Sequence, residues 1–196
     1  MVTPTSAAEP KFTLLWDGKT TSGWQASGGG NWTVEKINDN ETALVGRNKA
    51  AESRHGLLLA DKSYRNFTIK LQFKSVAGNS GLYFRAEPTT DDLGVKGFQA
   101  EIDPQNDVGG LYETHGRGWV IQPRAEQVAK YFKPGEWNTL EVTAKGRDVM
   151  VKINGQTSAE LKNDPGRTEG KIALQLHGGQ DVEVWLREIE IAELPE

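Results

Sequence analysis

Apolar and polar residues alternate along much of the chain in short runs of period two, which sends one set of side chains into a core and the other away from it. The clearest run is Asn66 to Ser75, where Phe67, Ile69, Leu71 and Phe73 alternate with Thr68, Lys70, Gln72 and Lys74. Gly78-Asn79 interrupts it, and Ser80 to Glu87 resumes with Leu82, Phe84 and Ala86 on one side. Gly97 to Asp103 sets Phe98, Ala100 and Ile102 inward, and Lys171 to His177 does the same with Ile172, Leu174 and Leu176. Leu140, Val142 and Ala144 are followed by Val149, Val151 and Ile153, which end at the hairpin-turn signal Asn154-Gly155. The last run, Asp181 to Leu194, changes phase between Leu186 and Ile189, which predicts a bulge. Helical spacing is confined to Pro123–Phe132, where Ala125, Val128, Ala129 and Phe132 would share a face. The pattern predicts an all-β fold, two antiparallel sheets packed as a jelly-roll sandwich.

The opposite faces of three strands carry unusual chemistry. If Leu82, Phe84 and Ala86 face the core, Tyr83, Arg85 and Glu87 face away; Gln99, Glu101 and Asp103 do so on the next strand, and Gln175 and His177 near the C-terminus. The outward Thr68, Lys70 and Lys74 are ordinary for an exposed sheet, whereas these three strands gather residues that hold and protonate polyols. A cleft on one sheet is the functional reading, and a solvated face with incidental ion pairs is the plainer one. Glu101 and Asp103, two apart on a strand, sit about 6.6 Å apart at Cα. Carboxyls that close can split their pKa values into an acid and a base, or can form a calcium site or a pair of surface charges. His177 is one of three histidines and has the intrinsic pKa range of a general base, although a strand histidine is often structural. His115 lies in a glycine-rich stretch, Gly109 to Gly118, with Tyr112 and Glu113; it reads either as a loop that closes over a ligand or as a long turn. Of six tryptophans, Trp119 is the candidate for sugar stacking, and Trp16, Trp24, Trp32, Trp137 and Trp185 read as core or edge packing.

Composition narrows the classes. The chain has 196 residues, which suits one sandwich domain over residues 12–196 behind a flexible lead-in at 1–11. Its 23 basic and 27 acidic residues leave a net charge of -4 without a basic stripe, which argues against nucleic acid. Cysteine is absent, which removes disulfides, thiol catalysis and thiolate-held metals. No apolar run approaches the roughly 18 residues of a membrane span, so the chain reads as a soluble domain. Met1 to Pro10 has neither the basic nor the apolar region of a signal peptide and reads as the remnant of a removed leader or as an ordinary terminus. Phosphate-loop, dinucleotide, HExxH and GxSxG motifs are missing.

Several blocks together resemble one family. Phe12-Thr-Leu-Leu-Trp-Asp-Gly-Lys with Ser22-Gly-Trp24 is similar to the opening of the bacterial 3-keto-disaccharide hydrolase domain. Tyr64-Arg-Asn-Phe-Thr-Ile-Lys-Leu-Gln-Phe-Lys and Gly78-Asn-Ser-Gly-Leu-Tyr-Phe-Arg85 resemble its central signature. Gly97-Phe-Gln-Ala-Glu-Ile-Asp103, Gly110-Leu-Tyr112, Pro134-Gly-Glu-Trp-Asn138, Asn154-Gly and Leu174-Gln-Leu-His-Gly178 continue it in order, so the resemblance spans about residues 12 to 194. It implies a sandwich of the concanavalin-like lectin/glucanase type. It further implies an exported bacterial protein, periplasmic, secreted or lipid-anchored, that cleaves glycosides already oxidised to the 3-ketone by a separate sugar 3-dehydrogenase. Carried over by position, Asn79, Arg85, Glu101, Asp103, Tyr112 and His177 would line the pocket.

The chemistry expected of such a site follows from the ketone, which acidifies the C2 proton. His177, Glu101 or Asp103 would be the base, Arg85 or a metal would stabilise the enolate, and Tyr112 or a protonated carboxyl would serve the leaving oxygen. Tyr83, Gln99, His115, Trp119 and Gln175 would join Asn79 and Tyr112 in binding an oxidised oligosaccharide or glycoside. A divalent metal held by His and carboxylates fits this chemistry without being demanded by it, and no cofactor is otherwise called for. One rival is a laminarinase-type glycoside hydrolase, which uses Glu-x-Asp-x-Glu on one strand. Here the run is Glu101-Ile-Asp103-Pro-Gln105, short of the third carboxylate and broken by Pro104. The other is a carbohydrate-binding module without turnover, which needs aromatics and amides but no base.

Overall fold

The computed structural model describes residues 10–105 and 107–196. Most of the predicted lead-in, residues 1–9, lies outside them. The chain order is β1(Thr13–Leu14), β2(Trp24–Gly28), β3(Asn31–Lys36), β4(Thr42–Asn48), β5(Gly56–Tyr64), β6(Phe67–Ala77), β7(Ser80–Pro88), β8(Val95–Ile102), β9(Leu111–Thr114), β10(Gly118–Ile121), α1(Ala125–Tyr131), β11(Asn138–Lys145), β12(Asp148–Ile153), β13(Gln156–Leu161), β14(Gly170–Leu176) and β15(Val182–Glu193). Two antiparallel sheets form the predicted jelly-roll sandwich. One runs β13-β12-β11-β6-β15-β4-β3 with β1 added on β15, and the other runs β10-β9-β8-β7-β14-β5-β2.

The inward sets of both sheets make one core. Phe67, Ile69, Leu71 and Phe73 of β6 meet Leu82 and Phe84 of β7, Phe98 and Ala100 of β8, and Leu174 of β14. Phe84 stacks on Phe98 with ring centroids 5.5 Å apart. Asn154 and Gly155 turn the β12–β13 hairpin with φ of 50° and 79°, the left-handed pair that such a two-residue loop requires. The phase change of β15 is a register shift against β6 between Arg187 and Glu190, with Glu188 at φ 51°. The helix exists, but its buried face is Val128 and Tyr131, continued by Phe132; Ala125 and Ala129 are exposed. Burying a tyrosine ring removes more apolar area than burying either alanine methyl, and the Tyr131 hydroxyl finds the Val108 carbonyl at 2.9 Å.

The stretch Gly109 to Gly118 is a hairpin and not an irregular loop. Most of it is the β9–β10 hairpin, with the turn at His115–Arg117. The alternation of β7 also fails at one place. Leu82 and Phe84 face the core as expected, but Ala86 lies on the other side with Leu57, Leu59, Tyr83, Val95 and Ala173. Arg85 causes the switch: its φ is 50°, and the pairing of β7 slips against both β8 and β14 around it. A glycine flanks the bulge on each neighbouring strand. A Cβ at Gly97 would lie 2.9 Å from Ala86 Cα, and one at Gly170 would lie 2.4 Å from the Arg85 carbonyl carbon. Side chains there would force the strands apart.

Candidate active site

The expectation for Arg85 is corrected by that bulge. Its guanidinium leaves the outer face, is 1% exposed, and donates to the carbonyls of Arg65 at 3.1 Å, Gly146 at 2.8 Å and Arg167 at 3.1 Å. Those carbonyls lie after β5, after β11 and before β14, so Arg85 ties three connecting segments together and does not line the pocket. Arg85→Met is therefore expected to lower unfolding stability by about 3 kcal/mol, since it removes three hydrogen bonds from a charged donor, each worth about 1–3 kcal/mol. Turnover per folded molecule should stay within about twofold, and parallel losses of stability and turnover would contradict this reading.

The remaining outward residues are brought together by strand register. Glu101 of β8 faces Gly81 of β7, which faces Gln175 of β14, which faces Leu57 of β5. Two residues along, Tyr112, Gln99, Tyr83, Ala173 and Leu59 make a parallel row. The lack of a side chain at Gly81 matters, because a Cβ there would lie 2.5 Å from Gln99 Nε2. The Gln99 amide thus lies over Gly81 on the pocket floor. A pocket of about 290 Å³ opens on these rows, lined by Asn79, Tyr83, Gln99, Glu101, Tyr112, His115, Trp119, Gln175 and His177, all expected from sequence, together with His55, Leu93 and Thr114. Asp103 falls outside the lining. It follows the end of β8, where its Oδ1 accepts the Gln105 amide in the turn begun by Pro104.

His177 and His55 meet because β14 and β5 are antiparallel: the residue after one strand ends beside the residue before the other begins, next to the pair Leu176 and Gly56. Their ring centroids are 4.5 Å apart at 49°. Gly178 sets both rings. Its carbonyl, which can only accept, lies 2.6 Å from His177 Nδ1 and calls for a proton there, while the Gln180 side-chain amide nitrogen lies 3.2 Å from the same atom; the Gly178 N–H donates to His55 Nδ1 at 2.9 Å. In the neutral His177 ring Nε2 is then the bare nitrogen, and in the neutral His55 ring Nε2 carries the proton. Burial, aided by the charge of His177, holds the His55 pKa down at about 4 against the pull of Asp91, so this ring is neutral at working pH.

Glu101 is 5% exposed. Burial is the main reason its pKa is pushed up to about 8, with the charges of Asp103 and Asp107 adding to it and the Asn79 amide opposing. Asn79 Nδ2 donates to Glu101 Oε2 at 3.2 Å, and the Asn79 carbonyl accepts from the His177 amide at 3.1 Å. The site therefore holds a protonated carboxyl together with a histidine pair. Asn79 Oδ1 and Gln175 Oε1 are buried acceptors without a partner among the described residues, the kind of group a polyol hydroxyl satisfies. On the opposite wall Trp119, 37% exposed, meets Tyr112 edge-on at 5.3 Å. Tyr83 hydroxyl pairs with Thr114 at 2.7 Å, and burial raises its pKa. His115, at φ 55° in the hairpin turn, bonds Asp91 at 2.8 Å on the rim.

Two facts about the lining limit the chemistry. Glu101 is its sole carboxylate among the described residues, and no described Lys or Arg lines it. Nor do any three His, Asp or Glu side chains among the described residues form a group able to hold a metal ion, so no step below is routed through one. His55 escaped the sequence reading because Gly56-Leu57-Leu58-Leu59 has no alternation. A strand without a phase gives no sign of what the residue before it faces. Thr114 and Leu93 were missed because they sit at a hairpin end and in a loop.

Solved structures of similar fold include a candidate glycosyl hydrolase of Parabacteroides distasonis, with 23% identity over 100% of this chain and 99% of that one and a TM-score of 0.67. The carbohydrate-binding module CBM66 of Bacillus subtilis matches with 15% identity over 87% of this chain and 96% of that one, TM-score 0.65. A Bacillus subtilis protein of unknown function with a galectin-like fold has 12% identity over 93% and 94%, TM-score 0.67. At such identities the likeness is one of fold. Among curated proteins no sequence matches. Residues 11–192 match the family model of the 3-keto-alpha-glucoside-1,2-lyase-like domain.

Proposed function

Because the chain belongs to the 3-keto-alpha-glucoside-1,2-lyase-like domain family, we propose that it cleaves 3-keto-glycosides by taking the C2 proton and expelling the C1 aglycone. The observation that carries this reading is the pocket's pairing of a tautomer-fixed base, His177, with the buried, protonated Glu101. A carbohydrate-binding module has no use for either state, and two-carboxylate glycosidases need a second carboxyl about 5–9.5 Å from the first, which the described lining lacks.

In this mechanism His177 Nε2 removes the C2 proton, and the C2–H electron pair moves into the C2–C3 bond as the ketone becomes an enolate. The enolate then re-forms the C3 carbonyl, C1 and C2 become doubly bonded, and the C1–O bond breaks. Glu101 gives its proton to the departing oxygen. Water adds across C1 and C2 to complete hydrolysis, or the reaction stops at the enone. Asn79 and Gln175 would accept sugar hydroxyls, and Trp119 with Tyr112 would flank the aglycone. The reaction requires that an oxidising enzyme first install the C3 ketone, and we assign the protein to the carbohydrate enzymes exported from the cytoplasm, as the family resemblance implies.

The deciding assay compares 3-keto-glucosides with their unoxidised parents and follows exchange of C2 hydrogen in deuterated buffer. Cleavage and exchange are expected for the keto forms alone. Cleavage of the parents would make this an ordinary glycosidase, and binding without cleavage or exchange would make it a binding module.

A further inference from the structure

We propose that His55 is the oxyanion donor of this site: its Nε2–H bonds the C3 oxygen of the keto sugar and stabilises the enolate formed as His177 takes the C2 proton. The proposal rests on the elimination chemistry above, and it supplies a part that chemistry lacks. An enolate oxygen needs positive charge or aimed donors. Arg85, the expected cation, is bound to backbone carbonyls elsewhere, and no described Lys or Arg lines the pocket.

The geometry suits His55 to this task. The ring lines the pocket while 8% exposed, and its Nδ1 is occupied by the Gly178 N–H at 2.9 Å. The proton must then sit on Nε2, for which the described residues offer no acceptor, so a ligand oxygen can take that bond. A ring in this state cannot act as the base, and one this deeply buried stays uncharged. A neutral imidazole donor also avoids placing a second cation against His177 when that ring gains its proton 4.5 Å away.

The pair is held rigidly. A Cβ on Gly178 would lie 2.0 Å from the Ser53 carbonyl oxygen, so the peptide that sets both tautomers is pressed against the segment entering His55. Asn48, 3% exposed, donates to the His177 carbonyl at 3.1 Å and approaches the Arg54 carbonyl at 3.4 Å, joining the two histidine segments from below. Charged and titratable groups acting on His55 are His177, which opposes its protonation, and Asp91, which favours it.

Two measurements test the proposal. Long-range proton–nitrogen spectra of the labelled wild type should show His55 as the Nε2–H tautomer, neutral from pH 8 to pH 5. The Nδ1–H tautomer, or a charged ring at pH 6, would overturn it. In turnover of a 3-keto-glucoside, His55→Phe should lower kcat by about 10²–10³-fold, the usual loss for one oxyanion donor, with KM within about threefold and C2 exchange falling in parallel. His55→Gln, which keeps an uncharged N–H donor, should recover at least tenfold of that loss. Wild-type kcat retained in His55→Phe, or equal losses in the Gln and Phe variants when both are folded, would overturn the assignment. A wild type that neither cleaves nor exchanges the keto sugar would instead remove the reaction on which it rests, and the spectra would still report on the tautomer.

Discussion

Replacing His177 with alanine is expected to lower kcat on a 3-keto-glucoside by about 10³-fold, within the range of one general base. Exchange of the C2 hydrogen should fall by the same factor, because the base acts before the C1–O bond breaks. Binding should survive. The anchors of residue 177 are main-chain bonds, its N–H to the Asn79 carbonyl and its carbonyl to Asn48 Nδ2, and both remain in the variant. Calorimetric titration with the keto-sugar product should give an affinity within about threefold of wild type, and added imidazole should restore part of the exchange. Turnover within tenfold of wild type would remove His177 from the proton transfer.

Glu101→Gln keeps the shape and the Asn79 contact but has no proton to give, and kcat is expected to fall by about 10²–10³-fold. The pH behaviour identifies the cause. Wild-type kcat should decline above about pH 8 as the buried carboxyl ionises, and this limb should be absent from the residual activity of the variant. Stability should move with it. Glu101 holds its proton in the fold up to about pH 8, whereas the unfolded chain releases it near the ordinary 4.5. Between those values the native state binds more protons than the unfolded state, so wild-type stability falls as pH rises through that window. The Gln variant lacks this contribution. Its Tm should drop less between pH 5 and pH 9, and identical slopes for the two proteins would show that Glu101 is ionised in the fold.

How far these features were legible depended on the kind of interaction that sets them. Period-two alternation reports burial, and burial is decided strand by strand. Phe67 to Phe73, Phe98 to Ile102 and Ile172 to Leu176 therefore declared their inward faces, and with them the outward Tyr83, Gln99, Glu101 and Gln175. The Leu186–Ile189 phase change was readable for the same reason. Arg85 was misplaced because it is itself the bulge residue, taken out of the alternation, and Ala86 because a bulge inverts the side chains after it; the glycines that accommodate the bulge, Gly97 and Gly170, lie on other strands.

By itself the sequence determined the sandwich, the outward polar face and most of the pocket's membership, since each follows from local alternation and the sorting of apolar side chains from water. Tertiary structure alone decided which of those groups do chemistry. Register put Gly81 between Glu101 and Gln175, antiparallel pairing put His55 against His177, and burial kept the proton on Glu101. Charge states and tautomers depend on neighbours distant in the chain, and those neighbours exist only once the strands have paired.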